Sequence, residues 1–156
     1  MAEELIANEN QYVVFRLGRE IYGLEISSIL EIITMQTITV VPGTEDIIEG
    51  IINLRGRVIP VFNLHKKFNL AGDEITRSTR IVVVEVGGNS IGMLVDGVYE
   101  VVKITDDIVE KPSHILSDID KEYLAGVAKL EDKLVILLDL SKVLNRDDAV
   151  MLENIG

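Results

Sequence analysis

The chain has 156 residues, 47% of them hydrophobic, with a formal net charge of −11 and no cysteine. This length suits one domain or two small ones, and the hydrophobic content is too high for a disordered chain. The lack of cysteine removes disulfides, thiol catalysis and thiolate metal sites, as is common in cytosolic proteins. The acid excess repels phosphate backbones and anionic lipid, and three Phe with four Tyr make a thin base-stacking platform. No apolar run reaches ~18 residues, and Met1-Ala2-Glu3-Glu4 opens no apolar signal core, so neither a membrane span nor a secretory signal is expected.

Residues 1–10 read as a polar tail. Residues 11–17 are β-branched and aromatic, and Gly18-Arg19 turns them into a second strand over 20–26. The segment Ser27-Ser28-Ile29-Leu30-Glu31-Ile32-Ile33 fits a serine-capped helical turn or a continuing strand equally well. Pro42-Gly43 opens a loop. Ile47 to Leu54 and Arg57 to Phe62 then form a hairpin around Arg55-Gly56, with glycine supplying a positive φ. Leu64 to Leu70 reads as a short helix. Beyond Ser78-Thr79, strands are expected at 80–86, 90–95 and 98–103, with a short one near Ile108-Val109. Residues 110–122 form the longest loop, 123–129 and 133–138 a second hairpin turning at Glu131-Asp132, and 140–145 and 147–155 short helices. Many short strands with turn signals, and no long helical crossovers, point to small β-barrels and away from a Rossmann-like fold.

The chain repeats itself. Tyr12-Val13-Val14-Phe15-Arg16-Leu17-Gly18 reads against Ile81-Val82-Val83-Val84-Glu85-Val86-Gly87, and at the same offset Ile29-Leu30-Glu31-Ile32-Ile33 meets Val98-Tyr99-Glu100-Val101-Val102. Gly50-Ile51-Ile52-Asn53-Leu54-Arg55-Gly56 reads against Gly126-Val127-Ala128-Lys129-Leu130-Glu131-Asp132, at an offset longer by about seven residues. Copy one runs over 11–70 and copy two over 80–145 of a single 1–156 unit. Each copy is marginal alone, because so short a chain buries only about 60% of its surface, so the two are expected to share burial.

No catalytic constellation emerges. His65 and His114 carry no visible orienting partner and read as solvated surface residues. Asp106-Asp107 and Asp118-Ile119-Asp120 lack the glycine and terminal glutamate of a calcium loop. Gly87-Gly88 lacks the Lys-Ser/Thr of a phosphate loop and reads as a hairpin turn, while Asp139 reads as a helix N-cap. What remains is surface. Arg55 and Arg57 flank a hairpin tip of an acidic protein, whereas the second tip carries Glu131 and Asp132. Glu31 is a lone acid in an apolar run, and Arg55 is its natural counter-ion. Residues 29–33 and 98–102 are candidates to line one apolar cleft for an amphipathic helix.

At these residues the chain resembles the CheW family of bacterial chemotaxis coupling proteins. The resemblance is carried by Tyr22-Gly23-Leu24-Glu25-Ile26 with Glu31-Ile32, by Gly50-Ile51-Ile52-Asn53-Leu54-Arg55-Gly56 with Ile59-Pro60-Val61, by Gly92-Met93-Leu94-Val95-Asp96-Gly97-Val98, and by Tyr123-Leu124-Ala125-Gly126. It spans about residues 11–145 and leaves the tail 146–156 outside. It implies an all-β fold of two small five-stranded SH3/OB-like barrel lobes that can exchange segments, with short helices and a C-terminal helix. It also implies a cytoplasmic, non-enzymatic adaptor without cofactor or metal. Its partners would be the helical cytoplasmic tip of methyl-accepting chemoreceptors and the regulatory domain of the histidine kinase CheA, in membrane-associated arrays. By matching position, the receptor groove would involve Ile29, Glu31, Gly50, Asn53, Leu54, Arg55, Gly56 and Val101, with Glu31 and Arg55 as its polar pair. Two rivals are an OB-like barrel binding nucleic acid or a small ligand, and a small-molecule hydrolase or isomerase using Glu31, Glu100 or Asp96.

Overall fold

β-Branched runs punctuated by glycine turns build the protein. A computed structural model describes residues 11–68, 70, 75–111 and 124–143. In chain order these residues form β1 (Gln11–Leu17), β2 (Glu20–Glu25), β3 (Ile29–Thr34), β4 (Ile48–Leu54), β5 (Arg57–Asn63), α1 (Leu64–Lys67), β6 (Arg80–Val86), β7 (Asn89–Val95), β8 (Gly97–Lys103), β9 (Val109–Glu110), β10 (Leu124–Leu130), β11 (Lys133–Leu138) and α2 (Leu140–Val143). The ambiguous segment resolves as strand β3 from Ile29; a single 3₁₀ turn over Ile26–Ser28 precedes it, with Glu25 and not a serine at its N-cap position and no side-chain cap. α1 stops at Lys67, short of the expected Leu70. The expected helix at 147–155 and most of the loop at 110–122, with His114, Asp118 and Asp120, lie outside the described residues.

The strands form two sheets, ordered β3-β6-β7-β5-β4 and β8-β1-β2-β11-β10-β9. Each therefore mixes the two sequence copies. The β6–β7 hairpin of the second copy completes the sheet of β3, β4 and β5, and the β1–β2 hairpin of the first completes that of β8, β10 and β11. The exchange is held by antiparallel pairs β3–β6 and β1–β8 and by parallel pairs β5–β7 and β2–β11. Irregularities repeat as well. A register shift between Ile29 and Glu31 matches the one opposite Val98 and Glu100, and the shift between Ile48 and Gly50 matches that between Leu124 and Gly126. The sixth strand, β9, has only two residues. Its counterpart in the five-stranded sheet is the single bridge Thr39–Ile51, which brings the chain after β3 across to the edge at β4.

Among the described residues, three apolar clusters hold these layers. Ile52, Ile59, Val61, Ile81, Val83 and Leu94 fill the five-stranded lobe. Val14, Ile104, Ala128, Val135 and Leu137 fill the other. Between them, Phe15, Leu17, Leu24, Phe62, Val82, Val84, Met93 and Val95 belong to a larger shared cluster. β6 thus sends Ile81 and Val83 into one cluster and Val82 and Val84 into another, all at 2% exposure or less. Burial on both faces is why this strand reads as an unbroken apolar run without polar alternation. At roughly 1.5–3 kcal/mol per fully buried large side chain, the shared cluster is what makes two marginal lobes one cooperative unit.

Candidate protein-binding site

The β4–β5 hairpin differs from its counterpart β10–β11 at the tip, with Arg55 where the other has Glu131. Its two tip residues, Arg55 and Gly56, have φ values of 53° and 85°. Positive φ at both central positions is what a two-residue hairpin turn requires to match strand twist. The Asn53 side-chain oxygen accepts the Gly56 N–H at 2.9 Å and closes the turn. A non-glycine residue in this backbone region costs about 1 kcal/mol or more. Glu131, at the equivalent tip, pays the same cost with φ 51°, so the turn explains the backbone but not the choice of side chain.

Arg55 Nη2 donates to Glu31 Oε2 on β3. The Arg55 side chain is 69% exposed and that of Glu31 32%, so the pair stands at the rim and contributes little to stability. Its effect is on orientation. The hydrogen bond that Arg55 donates to Glu31, and then the Glu31 charge, raise the Arg55 pKa further, and the fork is held over an edge strand. On that strand Leu30 and Ile32 are exposed at 51% and 39%. Their exposure follows the alternation of the strand, in which Ile29, Glu31 and Ile33 are half-buried. Arg57, the second tip arginine, is engaged differently, donating Nη2 to Ser90 Oγ at 3.1 Å.

Of the residues expected at a receptor groove, Glu31, Asn53, Leu54, Arg55 and Gly56 converge at this tip, with Leu54 half-buried against the lobe core. Ile29 begins β3 and packs against the shared cluster. Gly50 is buried, and a Cβ there would lie 2.3 Å from the Thr39 carbonyl oxygen, so close backbone crossing explains its glycine. Val101 is on β8 in the other sheet, 50% exposed, with Tyr99 beside it at 54%.

His65 overturns the surface reading. It is only 3% exposed, and its Nε2–H donates to the Asp96 carboxylate, 2.8 and 3.0 Å from the two oxygens. Asp96 also accepts the Gly18 N–H at 2.7 Å, and the Arg16 guanidinium stands 3.9 Å away. The polar run His65-Lys66-Lys67 looks like a solvated helix face, and nothing local announces a carboxylate 31 residues on. Asp139 does cap α2, its Oδ1 accepting from Ser141 N at 3.1 Å and from Ser141 Oγ at 2.6 Å.

A cavity of about 400 Å³ lies at the α2 corner, bordered by Leu24, Glu25, Glu85, Leu138, Asp139 and Ser141 among others. It presents carboxylates and two serines, Ser28 and Ser141, but no histidine to serve as a base. Among the described residues, no three His, Cys, Asp or Glu side chains are grouped to hold a metal ion. No helix among them is long and apolar enough to cross a membrane.

The family model for the CheW-like domain matches residues 11–148. The chain belongs to the CheW family. Chemotaxis protein CheW of Klebsiella aerogenes is 30% identical over 156 residues, covering 100% of this chain and 93% of the relative. Chemotaxis protein CheW of Bacillus subtilis is 32% identical over 150 residues, covering 96% and 95%. The crystal structure of the scaffolding protein TtCheW from Thermoanaerobacter tengcongensis matches with a TM-score of 0.82 at 37% identity, over 90% of this chain and 95% of that one. The protein is thus a CheW-family chemotaxis adaptor and not an enzyme.

Proposed function

We propose that the protein couples methyl-accepting chemoreceptors to the histidine kinase CheA within membrane-associated arrays, by holding the helical receptor tip and the kinase regulatory domain at once. The observation that carries the receptor half is the Glu31–Arg55 pair, fixed on a strained hairpin tip beside the exposed apolar residues Leu30 and Ile32. A helical hairpin laid in such a groove covers the apolar strand while Arg55 presents its remaining donors to a carboxylate or a carbonyl. Ile29, Glu31, Gly50, Asn53, Leu54, Arg55, Gly56 and Val101 make up the receptor-facing set in this reading. Gly50 acts through backbone shape, and Val101 acts from the second lobe.

The test is calorimetric titration of the full chain with a receptor-tip fragment and, separately, with the isolated regulatory domain of its cognate kinase. Saturable binding to both, without mutual exclusion, is expected. Arg55→Glu should abolish the receptor isotherm and leave the kinase isotherm and the circular dichroism spectrum unchanged. Receptor affinity that survives Arg55→Glu in a folded sample would sink the groove assignment, and binding to neither partner would sink the coupling role.

A further inference from the structure

The cavity of about 400 Å³ at the α2 corner is bordered by none of the receptor-facing residues named above and by no residue of the β4–β5 hairpin. Its volume lies toward the lower end of the roughly 300–1,000 Å³ of small-molecule sites. Its inner wall is apolar. Leu24 and Leu138 are buried members of the shared core cluster, and Val86 and Leu140 pack against that cluster. Its outer wall is acidic. Glu25 ends β2, Glu85 lies one residue before the end of β6, and Asp139 precedes α2. Glu25 and Glu85 are exposed and Asp139 is half-buried. The donors these acids do meet are neutral: Ser141 for Asp139, and the Tyr12 hydroxyl for Glu25. Among the described residues, none of the three carboxylates has a cationic partner, and no lysine, arginine or histidine borders the cavity.

The repeat supplies an observation that does not rest on charge. Ser141 matches His65, and in that other corner a planar ring is packed under the helix, 3% exposed, with its Nε2–H donating to a carboxylate. The same arrangement of strands at α2 encloses open volume beside Ser141. The fold does not call for the acids either, because Glu25, Glu85 and Asp139 match Leu94, Arg16 and Asn63. One corner therefore carries its own ring on its own acid, and the other carries acids around a space with apolar walls. The complementary group is flat, apolar on its faces and cationic at its edge. A guanidinium has this form: its weakly hydrated faces lie against aliphatic side chains, and its in-plane N–H donors pair with carboxylates two at a time. A metal ion does not fit, since no three His, Cys, Asp or Glu side chains among the described residues are grouped to hold one. An anion is opposed by the three acids and by the −11 field.

We propose that the α2-corner cavity binds a guanidinium group, carried by a free small molecule or by an arginine side chain. The inference does not depend on the receptor or kinase reading. Its test is an amide-resolved NMR titration of the full chain at neutral pH and matched ionic strength with three probes. The first is methylguanidinium, the second its neutral isostere methylurea, and the third a capped glycine–arginine–glycine peptide. Saturable shifts at Ser28, Glu85, Gly87, Ala125 and Ser141 are expected with methylguanidinium, at about millimolar Kd as suits so small a group. Methylurea should bind about tenfold more weakly, as for loss of one charge-assisted pair. Glu85→Gln should weaken methylguanidinium by a similar factor. Ser141→His, which sets a ring into the same space, should abolish its binding, while Arg55→Glu leaves it unchanged. The amide dispersion of each variant reports its folding in the same spectra. A peptide that binds as tightly as methylguanidinium assigns the site to a protein side chain, and one that binds markedly more weakly assigns it to a free molecule. Equal binding of methylguanidinium and methylurea, shifts spread over carboxylates elsewhere on the surface, or binding untouched by both Glu85→Gln and Ser141→His overturns the proposal.

Discussion

The two copies form equivalent corners and finish them differently. Beneath α1, the His65 imidazole and the Asp96 carboxylate fill the corner, and Asp96 accepts the Gly18 N–H. This bonding ties the five-stranded sheet, through α1, to the β1–β2 turn of the six-stranded sheet. Beneath α2, the matching positions are Ser141, Ser27 and Gly87. The ring and the acid are missing, and a cavity of about 400 Å³ bordered by Gly87 and Ser141 opens in their place. Both corners nevertheless carry the same strand pairings. The strand pairings thus recur with and without the polar knot, which is present at one junction and replaced by a cavity at the other.

Glycine gives the strongest way to probe this near-symmetry. At Gly50 a Cβ would meet the Thr39 carbonyl oxygen at 2.3 Å, whereas at the equivalent Gly126 it would meet the Val109 methyl at 2.6 Å and the Glu110 carbonyl at 3.0 Å. Backbone yields less than a side chain, so Gly50→Ala should cost about 3 kcal/mol or more and Gly126→Ala somewhat less in urea unfolding. Equal costs would mean that the two crossings are equally adaptable. Next comes the knot. Asp96→Ala leaves the Gly18 N–H and the His65 Nε2–H without an acceptor and should destabilise by about 2–3 kcal/mol. Ser27→Ala, at the matching exposed position, should move the midpoint by no more than about 0.5 kcal/mol. A costly Ser27→Ala would show that the second corner is tied after all. Filling is gentler than cutting. Ser141→His places a ring at the edge of an open cavity and should change stability by less than about 1 kcal/mol, with proton chemical shifts reporting the ring's burial.

The smallest effect is alkaline. Burial raises the Tyr22 pKa above its ordinary 10.0, and the nearby Glu20 charge adds to the rise. Tyr12 is raised by burial first and then by Glu25 and Asp106. A folded-state pKa above the unfolded one gives stability that is fully present below about pH 10 and is lost as pH climbs through the raised value. Isoleucines, Ile81 and Ile91, take the matching positions of the second copy, so this sensitivity belongs to the β1–β2 hairpin. Tyrosinate absorbance should therefore lag behind that of a free tyrosine, and Tyr22→Phe should flatten the alkaline loss of stability. An unchanged alkaline limb in Tyr22→Phe would move the cause elsewhere.

Much of this was legible in the residues. Hairpins announced themselves because glycine turns separate β-branched runs, and the copies because the runs recur at constant offset. The Glu31–Arg55 contact was legible because a lone acid in an apolar strand and an arginine at a tip each lack an adjacent counter-ion. Strand exchange was implied only by the family resemblance, since periodicity reports which face a strand buries and not which neighbour it takes. Nothing within β11 indicates that Val135 sits opposite Ile21 in a parallel pair. The His65 knot was hidden for the same reason. Its members lie on three elements, and each alone resembles a solvated polar residue.

The hairpin exchange also bears on what a half of this protein can be. A chain cut between the copies would leave β3 without β6 and β8 without β1, so neither half holds a complete sheet of its own. Two identical halves could finish each other's sheets only by trading hairpins. The single chain thus has the topology that two such halves would reach by exchanging hairpins. Fusion fixes one partner permanently beside the other, and it frees each half to diverge. An arginine at one tip and a glutamate at the other is a difference that two copies of a single sequence could never have.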